Sequence, residues 1–546
     1  MVFSGGFILF ALVLLVFFLP RSFLKWYAPF CMAIVALYGW FISPAGVMGF
    51  DFFGFDLQLY EYREYSRLIA SAMALFAFCY YLYIFPRNKN RVFYFFTLTH
   101  VAAALAILFV NDFMSFFILW ETLTITAAAL IFIENCPSKL IVKYFIYQLA
   151  GTISLLAGIA ICYSSSGSLV LEPVAGAYPF FILAVLIKAA VIPFHIWLPA
   201  TYPKVSFDLS VFFTAFVTKV GVFSVWLLTG GVNFELLGGI VALVAVLYAI
   251  KQQHLRSFLS YHIISQVGYI LAGLSSASLL ATSGGTYHLV NNIIYKGLLF
   301  MIVVVIAREL GSENIESTGG LALTKKYPFL FVAALVASAS ITGLPPFNGF
   351  ISKKIILEGI ENELAANLLF LASIGTGFSF TKFLYFSFLQ PGQLEFGKKL
   401  SFAPLQKFAV FILTAACILL GLFPGLLISQ TAASELDFYN RFAVSRGLLP
   451  GLIAVFIFVV SYRKTADLID FFMPDWSKNS FWPAKTAGKI LDILQNLHSG
   501  SLQRYIAWIF STMLVLWFYL LNNGNIFKPL LFSTKKYLLL LLGAAG

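Results

Sequence analysis

The sequence predicts an all-α protein that crosses a membrane many times. Of its 546 residues, 61% are hydrophobic and only 11% are charged, and the mean hydropathy is +0.91. Soluble domains carry about 25% charged residues, so this chain has too little charge to cover a water-exposed surface. The net charge of +12 is spread thinly along apolar sequence, which excludes disordered, fibrous and nucleic-acid-binding proteins.

Apolar segments long enough to cross a bilayer recur along the chain. A spanning helix needs roughly 20 apolar residues, and about sixteen segments approach that length. In chain order they lie at 3–20, 28–43, 68–85, 92–109, 111–132, 140–163, 178–198, 206–228, 234–250, 257–275, 286–307, 327–352, 366–389, 406–428, 447–462 and 504–522. The first segment lacks a basic stretch before it and a small-residue cleavage site after it, so we expect a span and not a signal peptide.

Loops that contain Lys or Arg alternate along the chain with loops that contain few or none. With the N-terminus outside, the inside loops contain Arg21 and Lys25, 87–91, Lys139 and Lys143, Lys204, 251–256, 308–326, 398–407, and Arg463 and Lys464. The outside loops near 164–177, 229–233 and 275–285 contain no Lys or Arg, and the loop 51–66 is mainly acidic. The positive-inside rule therefore predicts an outside N-terminus in a cell (inner) membrane.

The segments divide into six predicted regions. These are N-terminal spans at 1–90, two five-helix repeats at 91–230 and 231–390, further core spans at 391–462, a surface segment at 463–503, and a terminal span and tail at 504–546. The surface segment places Ile490, Leu491, Ile493, Leu494 and Leu497 on one helix face. This pattern predicts an amphipathic helix along the cytoplasmic surface, although a loop that only touches lipid is an alternative. A further partial span within 523–546 stays open.

The cysteine pattern argues against metal and redox sites. Five cysteines are scattered along the chain, at Cys31, Cys79, Cys136, Cys162 and Cys417. There is no CxxC motif and no Cys/His cluster, so we expect neither a metal site, a disulfide framework, haem nor an iron–sulfur cluster. No cofactor is predicted, and any oxidoreductase chemistry would reside in another subunit.

Eight titratable side chains fall inside predicted spans or, for Lys353, at the end of one. They are Glu121, Lys188, Lys219, His262, His288, Lys296, Lys353 and Lys382. Ionisable groups at this depth cost several kcal/mol and usually mark ion paths. A lysine near the end of a span, such as Lys353 or Lys382, can instead reach the interface, and either histidine can be a hydrogen-bonded core residue. Eight such groups together are hard to explain by packing, so the pattern predicts a proton or ion path.

The buried charges occur in a similar order in both halves of the chain. A proline-interrupted segment with Lys188 precedes Lys219 by 31 residues, and a second one with Lys353 precedes Lys382 by 29 residues. Because five is an odd number of spans, the second copy would be inverted relative to the first. Inverted repeats with broken helices place ion sites near the middle of a membrane.

A nearby carboxylate keeps a buried lysine charged. Separation of Glu121 from Lys188 would therefore allow the lysine to release its proton toward Lys219, His262 or His288. The Glu121–Lys188 pair would in this way gate the proton path.

Six segments resemble the signature segments of the antiporter-like subunits. They are WETLTITAAAL, LIKAAVIPFHIWLPAT, TKVGVF, YHIISQVGY, YHLVNNIIYKGLLF and ITGLPPFNGFISK. That family comprises Mrp-type Na+/H+ antiporter subunits, the proton-pumping subunits of complex I and membrane-bound hydrogenase subunits. The resemblance implies a core of about fourteen helices with two inverted five-helix repeats, broken helices 7 and 12, and an added amphipathic helix and span. The family's titratable positions match Glu121, Lys188, Lys219, His288, Lys296 and Lys353, and its Mrp and hydrogenase branches have His at the position of His262.

Two departures from the family pattern stand out. The segment TYPKVSFDLS has Lys204 and Phe207 where small residues or Pro are expected. A second histidine, often found one turn after His288, is Asn292 here. Because Asn cannot titrate, a proton route past Asn292 would use water or His288 alone. The segment LHSGSLQRYIAWIF and GLPPFNGFISK are most similar to the hydrogenase and Mrp branches.

These observations predict an ion-translocating subunit of a multisubunit complex. The predicted substrate is H+, alone or in exchange for Na+. The expected partners are the lipid bilayer and other membrane subunits of an antiporter or redox pump, with no nucleic acid. Two alternatives remain: a structural anchor with an idle channel inside a redox complex, and a coupling subunit in an inorganic-carbon uptake complex.

Overall fold

A computed structural model describes residues 4–41, 46–52, 54–317, 319–391, 402–428, 433 and 436–472. Within them the chain forms twenty α-helices and one β-hairpin. The helices are α1 (Gly5–Leu14), α2 (Arg21–Phe41), α3 (Glu64–Ile84), α4 (Arg91–Ala106), α5 (Phe113–Ile133), α6 (Ser138–Ser166), α7 (Tyr178–Lys188), α8 (Trp197–Thr201), α9 (Phe207–Phe212), α10 (Val217–Leu228), α11 (Glu235–Lys251), α12 (Leu255–Leu274), α13 (Leu279–Leu310), α14 (Gly320–Lys326), α15 (Pro328–Thr342), α16 (Asn348–Gly359), α17 (Glu363–Leu384), α18 (Pro404–Leu422), α19 (Gly425–Ile428) and α20 (Arg441–Phe472).

The helices agree with the predicted apolar segments. Every segment up to 447–462 coincides with at least one helix, whereas 504–522 and residues 473–503 of the surface segment lie outside the described residues. By length and composition, eight helices in the described part can cross a membrane, or nine if the bent pair α14 and α15 is one span. The predicted sixteen include 504–522, which lies outside the described residues, and segments whose helices are short, such as α4 with 16 residues and α11 with 17. The last helix, α20, continues beyond 462 to Phe472.

The two predicted helix breaks are present. The helix α7 ends at Lys188, and a short 3-10 turn at Phe194–Ile196 precedes α8. Pro193 lies in this gap, where its missing N–H and fixed φ prevent a continuous helix. The second break separates α15 from α16, so it lies before Lys353 and contains Pro345 and Pro346.

Two features were not predicted. The segment 206–228 was expected to be one span, and Phe207–Leu228 is long and apolar enough to be one, but its helix is interrupted between α9 and α10. In the predicted loop 51–66 and just before it, the strands β1 (Val47–Phe52) and β2 (Phe55–Glu61) form an antiparallel hairpin with an irregularity at Met48/Gly49. The predicted all-α class is confirmed, and one small hairpin is added to it.

The long helix α13 forms the centre of the bundle. It packs against α3, α9, α12, α15, α16 and α18, and an 18-residue apolar stretch of it is entirely buried. A helix that is apolar on all sides is typical of such a core position. This helix carries His288 and Lys296, so both side chains are enclosed by protein and do not face lipid.

Four charged side chains at one end of the bundle form a connected group that we call the ionic junction: Lys89, Glu134, Asp208 and Arg308. The Lys89 Nζ lies 2.9 Å from a Glu134 carboxylate oxygen and 3.0 Å from an Asp208 oxygen. The other Asp208 oxygen lies 2.7 Å from Arg308. The junction joins the loop before α4, the end of α5, the start of α9 and the end of α13.

The junction gives a physical reason for the unusual Phe207. Its ring lies 4.5 Å from the guanidinium of Arg256 and 5.3 Å from that of Arg308. Arginine over an aromatic face is a favourable contact, particularly away from water. Arg256 also forms an ion pair of 2.7 Å with Glu313. The segment that departs from the family pattern therefore has its own set of ionic and aromatic contacts.

Replacing Asp208 with Asn should destabilise the subunit. The substitution leaves Lys89 and Arg308 without the carboxylate between them, and breaking a buried ion pair costs about 3–5 kcal/mol. The expected result is a clearly lower melting temperature in detergent. The exposed Glu172→Gln variant serves as the control and should melt like the unmodified chain. Equal melting temperatures for both variants would contradict a structural role of the junction.

Candidate ion-translocation site

All eight titratable residues predicted to form the path are buried. None is more than 4% exposed, and Lys219, His262, His288 and Lys296 are fully enclosed. Lys353 and Lys382 are 4% and 1% exposed. Neither lysine therefore reaches out along the protein surface, which was the alternative interpretation for both.

Lys188 lies at the break after α7 and contacts α5. Its Nζ donates to the carbonyl oxygen of Trp120 at 2.9 Å and to Thr124 Oγ1 at 3.0 Å. It also lies 4.2 Å from the centre of the Trp120 ring. The Glu121 carboxylate instead accepts a hydrogen bond from Thr152. Among the described residues no ion pair joins Glu121 to Lys188, although the two charges act on each other. The structure therefore holds them apart.

Lys353 at the second break has the same types of contact. Its Nζ donates to the carbonyl oxygen of Thr342 at 3.1 Å and to Ser373 Oγ at 3.3 Å. It lies 4.4 Å from the centre of the Tyr269 ring, and the Tyr269 hydroxyl is 2.8 Å from the same Ser373 oxygen. In both halves, the lysine at a helix break is held by a carbonyl, a hydroxyl and an aromatic face.

His288 is at the centre of a hydrogen-bond network. Its Nδ1 is 2.9 Å from Ser352 Oγ, and its Nε2 is 3.0 Å from Gln266 Oε1 and 3.3 Å from the Tyr295 hydroxyl. Asn292, which replaces the second histidine, donates to the Tyr295 hydroxyl at 3.1 Å. This asparagine therefore belongs to the network without being able to titrate.

Lys219 lies on α10, which packs against α7 in the first half and against α12 in the second. Its Nζ has a long contact of 3.4 Å with Thr218 Oγ1. Its charge acts on both His288 and Lys296 in the second half. Lys296 in turn donates to the carbonyl oxygen of Leu259 at 3.2 Å. The charge of Lys219 therefore connects α10 electrostatically to the central helix α13.

His262 on α12 contacts α17, whereas Lys382 on α17 contacts the end of α11. The His262 Nε2 is 2.7 Å from Ser379 Oγ. Lys382 Nζ donates to the carbonyl oxygens of Ile250 and Gln252, each at 3.1 Å. These carbonyls lie at the C-terminal end of α11, where the helix dipole favours a positive charge. Lys382 therefore has a stabilising position at a helix end, in addition to its place in the predicted path.

The sequence analysis missed two buried histidines, His195 in the first helix break and His100. His100 is fully buried on α4, its Nδ1 lies 2.7 Å from Thr126 Oγ1, and the charge of Lys188 acts on it. A histidine in the middle of the apolar segment 92–109 was a usable signal, because the same criterion selected His262. The uncharged partners Gln266, Tyr295 and Ser373 carry no such signal in the sequence.

The chemistry of the site is that of proton donors and acceptors. Lysines, imidazoles, hydroxyl groups and one carboxylate are enclosed where few water molecules compete with them. Within the described ranges, no three His, Cys, Asp or Glu side chains come together as metal ligands. Charges act strongly on one another in a poorly solvated interior, so a proton on one group changes the proton affinity of a neighbouring group.

Comparison with known proteins identifies the family. The family model described as NADH:quinone oxidoreductase/Mrp antiporter, TM matches residues 110–379, the range that contains Glu121, both helix breaks and Lys353. The chain belongs to the antiporter-like subunit family. The chain is a multi-pass membrane protein, in agreement with its apolar helices.

Two relatives and one solved structure are similar to this antiporter-like subunit. It is 28% identical over 325 residues to a Na(+)/H(+) antiporter subunit of Alkalihalophilus pseudofirmus, covering 54% of this chain and 65% of the relative. It is 27% identical over 515 residues to a larger Na(+)/H(+) antiporter subunit of Staphylococcus haemolyticus, covering 77% and 62%. The chain thus spans less than two thirds of these relatives. A chain of an archaeal membrane-bound sulfane sulfur reductase shares the fold, with a TM-score of 0.74, 24% identity, and coverage of 94% and 99%.

Proposed function

We propose that this antiporter-like subunit translocates protons, alone or in exchange for Na+, within a multisubunit membrane complex. The observation that carries the proposal is the matching environment of Lys188 and Lys353 at the two helix breaks, with Lys219 on a helix that packs against both halves. The relatives named Na(+)/H(+) antiporter subunits support the ion class. The expected partners are other membrane subunits of such a complex.

The proposed path runs from Glu121 through Lys188 and Lys219 to the second half. There it continues through His288, Lys296 and Lys353, while His262 and Lys382 form its branch along α17. Because the charge of Lys219 acts on His288 and Lys296, a proton on Lys219 disfavours a proton on either neighbour. Arrival of a proton at Lys219 would therefore favour release of a proton from His288 or Lys296 in the second half.

The proposed orientation follows the basic loops. The ionic junction contains residues of the loops rich in Lys and Arg, so we place it on the cytoplasmic side of the cell (inner) membrane, with the N-terminus outside. The same argument places the surface segment 463–503 on the cytoplasmic side. Residues 473–503 of it lie outside the described residues.

A coupling or anchoring subunit of a redox complex is the second candidate. The full-length structural similarity to a chain of a sulfane sulfur reductase, an archaeal respiratory membrane complex, favours it. In that case another subunit would carry the redox chemistry. The difference between the two candidates is whether ions pass through this chain.

The Lys219→Met variant separates these candidates. The intact complex is purified in mild detergent and reconstituted into vesicles that contain a pH-sensitive or sodium-sensitive dye. We expect ion flux to fall by about 100-fold, because a missing carrier raises the barrier by several kcal/mol and each 1.4 kcal/mol corresponds to a factor of ten. Lys407→Met replaces an exposed lysine and should leave the flux unchanged. Unchanged flux in Lys219→Met would favour the anchor.

A further inference from the structure

Two buried side-chain amides in the network around His288 each have one end without a partner. Gln266 and Asn292 are fully buried, and in the part of the chain that the structure describes neither Gln266 Nε2 nor Asn292 Oδ1 forms a hydrogen bond. Their other ends are paired, since Gln266 Oε1 lies 3.0 Å from His288 Nε2 and Asn292 Nδ2 donates to the Tyr295 hydroxyl at 3.1 Å. Buried polar atoms without a partner are unfavourable, so two of them in one network require an explanation.

The orientation of the Gln266 amide determines the tautomer of His288. A carbonyl oxygen only accepts hydrogen bonds, so the neutral imidazole carries its proton on Nε2, opposite Gln266 Oε1. Nδ1 is then an acceptor, and the Ser352 hydroxyl donates to it at 2.9 Å. The Tyr295 hydroxyl donates to the same Gln266 oxygen at 3.2 Å. Both ring nitrogens therefore have a partner in this arrangement.

Turning the Gln266 amide over gives the other tautomer at the same atom positions. Its NH2 group would then donate to His288 Nε2, so the imidazole proton would lie on Nδ1. Nδ1–H would donate to Ser352 Oγ, and the Ser352 hydroxyl would donate to the carbonyl oxygen of Gly349, 3.3 Å away. Both ring nitrogens and the serine hydroxyl therefore have partners in the turned arrangement as well.

Asn292 makes the matching change at Tyr295. Once the Gln266 NH2 occupies the single lone pair of His288 Nε2, the Tyr295 hydroxyl needs a new acceptor. The Asn292 oxygen becomes that acceptor when its amide turns over, across the distance of 3.1 Å that the Asn292 NH2 now spans. Because the outward end of each amide has no partner among the described residues, neither amide loses a hydrogen bond there by turning. The network therefore has two complete arrangements, one for each tautomer.

Another buried glutamine, Gln406, is fixed in one orientation. Its Oε1 accepts from the backbone N–H of Ala403 at 3.2 Å, and its Nε2 donates to the carbonyl oxygen of Tyr83 at 3.0 Å. A backbone N–H only donates and a backbone carbonyl only accepts, so turning this amide would break both hydrogen bonds. The freedom of Gln266 and Asn292 to turn is therefore a property of their own contacts and not of every buried amide.

We propose that the amides of Gln266 and Asn292 form a relay that selects which ring nitrogen of His288 exchanges protons. Both are positioning residues, because neither takes up a proton itself. The inference rests on the proposed function, in which His288 is part of the path. It gives Asn292 a role at the position where the family often has a second histidine.

The transfer through His288 conserves protons. The Ser352 hydroxyl gives its proton to Nδ1 and regains one from water. When the amides turn, the Gln266 NH2 faces Nε2–H, and repulsion between the two donors releases the Nε2 proton to the Tyr295 oxygen, 3.3 Å away. The Tyr295 hydroxyl proton passes to water. Before the next transfer the neutral ring must exchange its Nδ1 proton for one on Nε2, with no net change in protons, as the amides turn back. The same steps in reverse serve the opposite direction of transport.

Asn292→Leu tests the relay without adding a charge. Leucine has the same branching as asparagine but no acceptor for the Tyr295 hydroxyl, so the turned arrangement is disfavoured and the proton stays on Nε2. In the intact complex, reconstituted into vesicles, we expect proton flux to fall about tenfold and its solvent deuterium isotope effect to increase, because tautomer exchange becomes limiting. The matched control is Asn291→Leu, since this adjacent buried amide hydrogen-bonds to Asn348. It should leave the isotope effect unchanged, whatever its effect on the melting temperature.

Gln266→Glu is the second variant, and it keeps the proton on Nε2 by a different route. An ionised carboxylate accepts hydrogen bonds at both ends, so turning it never presents a donor to His288. We expect the same fall in flux and the same rise in the isotope effect as for Asn292→Leu. Gln406→Glu places the same group at the fixed amide and should leave the flux unchanged.

Nitrogen-15 NMR of the histidine-labelled complex measures the tautomers directly. Ring nitrogens with and without a proton give separate signals, and a His288→Gln sample identifies those of His288. We expect both tautomers in the unmodified complex and in the two controls, and a permanent proton on Nε2 in Asn292→Leu and Gln266→Glu. A purely structural defect would lower the flux and keep both tautomers. A single tautomer in the unmodified complex, or an unchanged mixture in either variant, would overturn the relay.

The Lys219→Met variant separates this inference from the proposed function. If Lys219→Met is inactive while Asn292→Leu and Gln266→Glu transport protons normally, the proposed function stands and only the relay fails. If Lys219→Met is active, the proposed function itself fails, whatever the tautomer of His288.

Discussion

Replacing Lys188 with Met is expected to lower ion flux by at least about 100-fold, because a proton then has no basic group between Glu121 and the rest of the path. The structure holds Lys188 at Trp120 and Thr124, with Glu121 turned to Thr152. In the gate that we propose, this would be the separated arrangement, in which the lysine makes no ion pair with the carboxylate. In the other arrangement, contact with Glu121 would stabilise the charged lysine.

Two further variants distinguish proton release from charge alone. Lys188→Arg keeps a positive charge, but a guanidinium does not release its proton in proteins, so the complex should assemble and remain inactive. Glu121→Gln should slow flux about tenfold, because the gate loses its charged partner. The double variant Glu121→Gln/Lys188→Met should be no slower than Lys188→Met, since both residues act in one step. Active Lys188→Arg, or additive losses, would contradict the gate.

The sequence was sufficient for features that depend on local chemistry. Pro193 and the Pro345-Pro346 pair interrupt apolar segments, and a residue without an N–H interrupts a helix wherever the chain folds. The burial of Glu121 and Lys188 follows in the same way from their places within long apolar segments. These local signals predicted the membrane helices, both breaks and the set of buried charges.

Features that depend on distant contacts could not be predicted. In the sequence, Phe207 is only a departure from the family pattern. Its partners Arg256 and Arg308 lie far along the chain and contact its ring only after folding. The division of 206–228 into α9 and α10 has no proline to mark it. The Trp120 carbonyl that holds Lys188 is a backbone group, which leaves no trace in a sequence. Side-chain type showed which residues are charged, whereas only the fold shows which of them meet.

Gly221→Val is the second variant with a large expected effect. A Cβ atom at Gly221 would lie 2.6 Å from the Ala189 backbone nitrogen and 2.8 Å from the Lys188 carbonyl carbon. Both are backbone atoms, so the contact cannot be relieved by turning a side chain. The valine must therefore push α10 away from the end of α7. Overpacking of this kind costs about 1–3 kcal/mol of stability.

The displacement should affect transport more than stability. Lys219 lies two residues before Gly221 on α10, so the shift moves it away from Lys188. A misplacement of about 1 Å can slow a positioned reaction by about 100-fold, and we expect a flux loss of that order with a moderate fall in melting temperature. Gly425→Val is the control, because a Cβ there meets no atom within 4 Å. If Gly221→Val lost stability and kept normal flux, proton transfer would not depend on the close approach of α7 and α10, and Lys188 and Lys219 would have to communicate through other groups.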